Sequence, residues 1–218
     1  MDHIAPQISI LLAATIFVTA ILLNFSGKIS ISVWLYVVQS ATIAILLLSS
    51  VFDRFSILLL IAVISTILVK VIIAPTFFLS LIKKYHITST TSTYLNTPLT
   101  LLVIAGLLFL TQADFFTPLI SLAPQGHNLL FISIATILIS LFLSINRKGA
   151  VSQMMGILSL ENGIVAFALF SGLEQNAGLQ LGITLNIFIW IVISTVFASM
   201  IYQKFGSLDV STMKGLTE

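Results

Sequence analysis

Residues 55–82 have the sequence FSILLLIAVISTILVKVIIAPTFFLSLI, in which Lys70 is the single charged side chain. This stretch exceeds the roughly 20 apolar residues that a helix needs to cross a bilayer core of about 30 Å. The rest of the chain has the same character, because 58% of its 218 residues are hydrophobic, 7% are charged and the mean hydropathy is +1.17. Soluble domains take about a quarter of their residues from Asp, Glu, Lys and Arg. The sequence therefore predicts an all-α polytopic membrane protein.

Six further apolar runs lie on either side of this stretch, so we predict about seven transmembrane helices. The predicted spans are residues 4–23, 30–51, 55–82, 97–111, 128–145, 151–172 and 179–203. The fourth span is the shortest, and it begins at Asn96-Thr97-Pro98, a polar cap followed by a proline in the first turn. The residues before the first span contain no Lys or Arg. We therefore expect this span to stay in the membrane and not to be cleaved as a signal peptide.

The charges between the predicted spans segregate to two sides of the membrane. One side collects the basic residues Lys28, Lys83, Lys84, Arg147, Lys148, Lys204 and Lys214. The other side has Arg54 together with Asp2, Asp53, Asp114 and Glu174. Cytoplasmic loops carry an excess of Lys and Arg, so the pattern predicts an outside N-terminus and a cytoplasmic C-terminus. An even number of spans would mix the two groups of charges, which favours seven.

The predicted spans divide into two membrane regions. Residues 1–112 form a four-helix N-terminal region, and residues 128–204 form a three-helix region. Residues 113–127 are too apolar for a free linker and too broken for a span, so we expect this outer loop to lie along the membrane interface. Residues 205–218 are predicted to be a cytoplasmic tail.

Two ionisable residues fall in the middle of predicted spans: Glu161 in the sixth and Lys70 in the third. A central charge costs roughly 2.5–3.5 kcal/mol to insert, so each should be paired, hydrated or neutral. We predict that Glu161 takes up and releases protons; the alternative is a protonated Glu that joins helices by hydrogen bonding. Lys70 is predicted to relay protons or to act as the counter-ion of a carboxylate, with snorkelling to an interface as the alternative.

Four other residues support this candidate site. Pro75 removes a backbone N–H one turn from Lys70, a break that membrane helices tolerate around water or ions. Gln39, Asn162 and Asn186 are uncharged polar residues at membrane depth. Side chains of this kind more often join helices than relay protons.

Several classes of chemistry are excluded by what the sequence lacks. Without cysteine the chain has no thiolate metal site, iron–sulfur cluster or disulfide, and its three histidines fall in loops, where they cannot hold a haem between helices. It has no phosphate-binding glycine loop, zinc-protease helix or nucleophile elbow. No basic run exceeds two adjacent residues. We therefore expect no cofactor, no metal, no nucleic-acid partner and no catalytic site in this chain.

The residues around Glu161 resemble a known family. Residues 145–163, INRKGAVSQMMGILSLENG, place a basic pair before a helix with a mid-span Glu. This pattern is similar to the K subunit of respiratory complex I and the C subunit of Mrp-type antiporters, over residues 128–203. With four spans ahead of it and the sequence KVIIAP at residues 70–75, the whole chain resembles component E of hydrogenase-4. That family supplies membrane subunits to complex I-like group 4 hydrogenases and formate hydrogenlyases.

The resemblance implies a subunit without a redox centre that takes part in proton or sodium translocation through Glu161 and Lys70. Its implied partners are antiporter-like membrane subunits and other subunits of a complex I-like hydrogenase, within the lipid bilayer of the prokaryotic cytoplasmic membrane. Subunit K has a second mid-membrane Glu in its last helix, where this chain has Asn186. The proton partner of Glu161 must then be water, Lys70 or a neighbouring chain. The alternatives are a structural scaffold and a subunit of an Mrp-type cation/proton antiporter complex.

Overall fold

The computed structural model describes residues 6–53, 57–84, 91–120, 127–172 and residue 182, and this part of the chain is almost entirely helical. The α-helices are α1 (Pro6–Phe25), α2 (Ile29–Asp53), α3 (Ile57–Thr66), α4 (Ala74–Lys84), α5 (Thr97–Leu110), α6 (Thr117–Ile120), α7 (His127–Asn146) and α8 (Ala150–Phe170). A π-helical segment, Ile67–Ile73, joins α3 to α4, and a short 3₁₀ turn, Asp114–Phe116, precedes α6. The described residues form no strand, and a single β-bridge pairs Thr93 with Arg147.

Five helical stretches of the described chain are long and apolar enough to cross a membrane. They are Gln7–Phe25, Ile29–Phe52, Leu59–Lys83, His127–Asn146 and Ala150–Phe170. These stretches coincide with the first, second, third, fifth and sixth predicted spans. The chain is thus a helical membrane protein, as its composition predicts. The predicted seventh span, 179–203, lies outside the described residues apart from residue 182.

α5 takes the place of the predicted fourth span. It begins as expected, since Asn96 Oδ1 accepts a hydrogen bond from the Leu99 backbone N–H at 3.0 Å and Pro98 stands in the first turn. Its 14 residues extend for about 21 Å at 1.5 Å per residue, which is less than a bilayer core of about 30 Å. The helix is therefore where the sequence predicts it, but it is shorter than a membrane core.

The third span is a continuous helical rod whose middle is π-helical. Pro75 has no backbone N–H, and the N–H of the preceding Ala74 donates to the carbonyl oxygen of Val69, five residues earlier. A π segment widens the helix and frequently marks a functional site. Lys70 lies in the middle of this segment and is buried, while Leu68 and Ile72 are exposed. The expected backbone break beside Pro75 thus takes the form of a widened turn around Lys70.

α7 and α8 pack more closely than any other pair of described helices. A Cβ atom added at Gly156 would lie 2.6 Å from the backbone nitrogen of Ser144, and one added at Gly163 would lie 3.0 Å from Cγ1 of Ile137. Glycine at these two positions therefore lets the helix backbones approach each other. The contact fixes how α8 is rotated about its axis and so fixes the direction in which its polar residues point.

Two large apolar clusters lie in the described bundle, beside a small third one of Ala20, Ile104 and Ile139. Cluster A consists of Ala13, Ile16, Ile43, Leu46, Leu47, Val51, Leu59, Val63, Leu130, Val165, Ala166, Leu169 and Phe170. Cluster B consists of Ile29, Val33, Tyr36, Ala74, Phe78, Leu81, Val151, Met155 and Leu158. The residues between the two clusters include Gln39 on α2, Lys70 in the π segment and Glu161 on α8. The predicted site residues on these helices therefore lie at the border between the clusters.

The described basic residues other than Lys70 lie at the cluster B end of the bundle. They are Lys28, Lys83, Lys84, Arg147 and Lys148, and we call this the basic end. Backbone hydrogen bonds tie its loops together: Thr91 N–H donates to Gly27, Tyr94 N–H to Asn146, and Lys148 N–H to Ser92. Asp53 is the last residue of α2 and Asp114 follows α5, both at the opposite end. Among the described residues, these charges are therefore separated as the loops predict.

Candidate functional site

A buried ion pair joins the two ionisable residues that the sequence places at membrane depth. Lys70 Nζ lies 3.4 Å from Glu161 Oε1, and the two side chains are 2% and 18% exposed. Lys70 comes from the π segment and Glu161 from α8, so the contact connects two elements that are distant in sequence. The ammonium group is held inside the bundle and does not extend to an interface.

Asn162 connects this ion pair to α2 and α1. Its Oδ1 accepts a hydrogen bond from Lys70 Nζ at 2.9 Å, and its Nδ2 donates to Gln39 Oε1 at 3.2 Å and to Ser40 Oγ at 3.0 Å. Gln39 Nε2 then donates to the carbonyl oxygen of Ile16 at 3.1 Å. The buried polar groups of four helical elements therefore form one network, in which each bond is made in a low-dielectric interior.

Glu161 keeps hydrogen-bonding capacity within this network. Lys70 gives a 2.9 Å hydrogen bond to Asn162, whereas its 3.4 Å contact with Glu161 is a charge contact, and Glu161 Oε1 has no hydrogen-bond partner among the described residues. An oxygen that faces a cation and still has a free lone pair can accept a proton. The described residues contain no group of three or more His, Cys, Asp or Glu that could hold a metal ion.

The structure brings most of the predicted site residues together. Glu161, Lys70, Asn162 and Gln39 form the network itself. Pro75 stands at the second position of α4, directly after the π segment, and acts on Lys70 through the backbone. The remaining predicted residue, Asn186, lies outside the described residues.

Two residues of α2 belong to this site although the sequence analysis did not select them. Ser40 accepts a hydrogen bond from Asn162, and Tyr36 is fully buried, with Ser40 and the charge of Glu161 close to its hydroxyl. Serine and tyrosine are ordinary residues in membrane helices, so neither attracts notice alone. The signal that identifies them is spacing, because Ser32, Tyr36 and Ser40 follow each other at intervals of four and share one helix face.

Arg147 has a role in the folded bundle that the sequence does not indicate. It lies at the basic end with the other described residues of its predicted group, and its side chain is buried. Its Nη2 is within hydrogen-bond distance of the carbonyl oxygens of Leu23, Asn24 and Ser26 at the end of α1, where the helix dipole favours a cation. Burial lowers the pKa of Arg147 to about 10, which keeps it charged at neutral pH. Arg147 therefore anchors α1 to the α7–α8 connection.

The chain is similar to the uncharacterized protein Rv0085 of Mycobacterium tuberculosis. The two are 32% identical over 124 residues, which cover 56% of this chain and 56% of that protein. The matched region thus spans about half the length of each. No protein-family profile matches the chain, and no solved structure matches it. The resemblance to component E of hydrogenase-4 remains a prediction.

Proposed function

We propose that this chain is a membrane subunit that moves protons through the Lys70–Glu161 pair as part of a larger complex. The observation that carries the proposal is the pair itself, a carboxylate and an amine 3.4 Å apart in the interior of a helical membrane protein. Ionisable residues inside a membrane are costly and usually mark ion or proton pathways. Transfer of one proton from Lys70 to Glu161 converts both charged groups to neutral groups. A proton relay requires groups that can change their charge in this way.

The proposed step uses one incoming and one outgoing proton. A proton that binds Glu161 Oε1 neutralises the carboxylate, and the Lys70 ammonium loses its counter-ion in a low-dielectric site. Lys70 then releases a proton and becomes a neutral amine. Transfer of the proton from Glu161 to Lys70 restores the ion pair, so that one proton has entered and one has left. Asn162 Oδ1 accepts a hydrogen bond from Lys70 and holds the amine in place.

The proposed setting follows from the charge pattern and the resemblance. We place the basic end at the cytoplasmic face and the N-terminus outside, with seven spans in total. The location is then the cytoplasmic membrane of a prokaryote, and the partners are antiporter-like and other subunits of a complex I-like hydrogenase. A partner surface rich in oxygen atoms would favour sodium instead of the proton as the transported ion.

A structural scaffold is the second candidate function. It is favoured by the way Asn162 uses both its oxygen and its nitrogen and bonds to two other helical elements. In this alternative the network only joins helices, and Glu161 contributes to assembly but not to transport.

Substitution of Glu161 separates the two functions. Glu161→Gln keeps the shape and hydrogen-bonding capacity of the side chain but removes its titratable proton. We expect an assembled complex with little proton uptake by membrane vesicles, measured per assembled complex. Asp114→Asn is the matched control, because it removes a carboxylate from the exposed 3₁₀ turn, and transport should be unchanged. Normal transport in Glu161→Gln, combined with poor assembly of Glu161→Ala, would support the scaffold.

A further inference from the structure

Three buried side-chain atoms of the described residues have no hydrogen-bond partner. They are Asn24 Oδ1, Tyr36 Oη and Glu161 Oε1. Buried polar atoms in proteins are nearly always bonded to protein or to ordered water, so these atoms are candidate partners for bound water. Asn24 lies at the basic end, Tyr36 lies on α2 between that end and Gln39, and Glu161 belongs to the ion pair.

A route toward the ion pair begins in a polar cavity at the basic end. The cavity has a volume of about 140 Å³ and is lined by Asn24, which is buried, and by Thr97, which is exposed, so it reaches the surface. The other polar side chains that line it are Ser26, Thr91, Thr93 and Thr100. A bound water needs roughly 10–15 Å³ of such space and two to four polar partners. The cavity therefore has the size and the lining to hold several water molecules.

A row of hydroxyl groups leads inward from this cavity. Ser26 Oγ, at the cavity, lies 2.6 Å from Ser32 Oγ in the first turn of α2. Ser32, Tyr36 and Ser40 then follow at intervals of four along one buried face of α2. Ser40 accepts the hydrogen bond from Asn162 and so reaches the network of the ion pair. The row thus presents a hydroxyl on each helical turn between the cavity and the site.

Tyr36 occupies the central position of this row. Its ring packs in cluster B together with Leu158 of α8, one turn before Glu161, and its buried hydroxyl has no hydrogen-bond partner among the described residues. A hydroxyl can accept a proton from water on one side and donate its own hydrogen on the other. In such a step a water beside Tyr36 gives the hydroxyl one proton and takes up another from the cavity, the hydroxyl passes its own hydrogen to Glu161 Oε1, and Tyr36 keeps the hydrogen that it received.

The opposite half of the bundle has no such row among the described residues. Beyond Ser40 the same face of α2 continues with Ile43, Leu47 and Val51, which belong to cluster A. The buried hydroxyls of Ser49 and Ser133 in that half donate to carbonyl oxygens of their own helices. Ser26 and Ser32 also donate to carbonyl oxygens, but their two hydroxyls are in addition 2.6 Å apart. Apolar side chains without a polar row exclude water and protons.

We propose that protons reach the Lys70–Glu161 pair from the basic end, through the cavity beside Asn24 and a row of hydroxyls in which Tyr36 is the last step. This inference rests on the proposed proton relay and adds the end of the bundle from which protons enter it. Tyr36 is a positioning and transfer group, and its ligand is water.

Hydroxyl-radical footprinting of the complex in its membranes tests whether water reaches Tyr36. Radicals generated from water by X-rays oxidise aromatic rings next to bound water, and the sites are located by mass spectrometry. Phe78 is the matched control, since it is an equally buried aromatic residue of cluster B. We expect oxidation of Tyr36 to be several-fold faster than that of Phe78. Equal protection of the two rings would overturn the inference.

Substitutions along α2 test whether the row carries protons. Tyr36→Phe removes a hydroxyl that has no partner, so it should leave the stability unchanged or higher but lower proton uptake several-fold. Ser32→Ala should also lower uptake, whereas Ser49→Ala, a buried serine in the other half of the same helix, should not. Normal uptake in both Tyr36→Phe and Ser32→Ala would overturn the inference.

The outcomes distinguish this inference from the proposed function. If Glu161→Gln abolishes proton uptake while Tyr36→Phe and Ser32→Ala do not reduce it, the relay stands and the route from the basic end is wrong. If Glu161→Gln transports normally, the relay fails, and the footprint of Tyr36 still reports whether water enters the cavity and the row.

Discussion

At the scale of single residues, the ion pair between Lys70 and Glu161 is the feature with the largest energetic consequence. A buried pair contributes little net stability, because the desolvation of both charges offsets their attraction. Removal of one partner leaves the other charge buried and uncompensated, which costs about 3–5 kcal/mol. The structural effect of each residue therefore depends on whether the other is present, and a double substitution measures this dependence.

We predict that Lys70→Met is less stable than the double variant Lys70→Met/Glu161→Gln. In the single variant the carboxylate faces an apolar side chain, whereas in the double variant both charges are gone and Gln can still bond to a neighbour. Thermal unfolding of the purified complex in detergent measures the difference. Equal stability of the two variants would show that the ion pair does not form in the membrane. Proton uptake should be low in both.

The sequence predicts the ionisable residues of the site but not their arrangement. Glu161 and Lys70 are identifiable because a bilayer penalises a central charge wherever it occurs. Their pairing depends on the rotation of α8 and on the widened turn at Lys70, which no short pattern encodes. Tyr36 and Ser40 carry no penalty that would distinguish them, and nothing in the sequence separates the buried Arg147 from its neighbour Lys148.

At the scale of the helices, the contact between α7 and α8 sets the geometry of the site. An added Cβ at Gly156 would lie 2.6 Å from the backbone nitrogen of Ser144, which cannot move without shifting the helix. At Gly163 the contacts are longer, 3.0 Å to the Ile137 side chain and 3.2 Å to its backbone nitrogen. The two glycines should therefore differ in their tolerance to substitution. Gly106 in α5 has nothing within 4 Å of an added Cβ and offers a control within the same chain.

We predict that Gly156→Ala destabilises the protein more than Gly163→Ala and that Gly106→Ala does not destabilise it. An added methyl at position 156 must push the helices apart, and overpacking typically costs about 1–3 kcal/mol. At position 106 the same change only restricts the unfolded chain and should stabilise by about 0.4–1 kcal/mol. Unfolding of each variant in detergent gives the order. If Gly156→Ala matched Gly106→Ala, the close contact between α7 and α8 would be absent.

Helix positions were easier to predict than helix lengths and local form. The beginning of α5 is determined by Asn96 and Pro98, whose capping chemistry is local. The end of α5 falls short of a membrane width although its residues are apolar, because hydropathy does not mark where a helix stops. Pro75 indicates a break in the third span. The π form of that break depends on which backbone N–H groups donate to the carbonyl oxygens near Lys70.

At the scale of the whole molecule, the basic end and the apolar surface determine how the chain sits in its environment. Many large apolar side chains face outward, among them Leu11, Trp34, Phe52 and Phe109, as a lipid or protein environment requires. Exposed Lys83 and exposed Asp114 lie at opposite ends of the described bundle. These two positions report the orientation proposed above.

We predict that Lys83→Cys is labelled from the cytoplasmic side and Asp114→Cys from the outer side. The natural chain has no cysteine, so each variant carries a single thiol and needs no cysteine-free background. A membrane-impermeant thiol reagent applied to right-side-out and inside-out vesicles gives the side of each position. Labelling of both positions from the same side would contradict a bundle that crosses the membrane between them, and exchanged sides would reverse the proposed orientation.

The central claim is that Glu161 changes its protonation state while the complex moves protons, and infrared difference spectroscopy measures this directly. A protonated carboxylic acid has a carbonyl stretching band that the carboxylate lacks. In membranes with an imposed pH gradient, we predict that such a band appears and disappears with proton flow and is absent in Glu161→Gln at equal assembly. Proton flow without any carboxylic-acid band that depends on Glu161 would contradict the account.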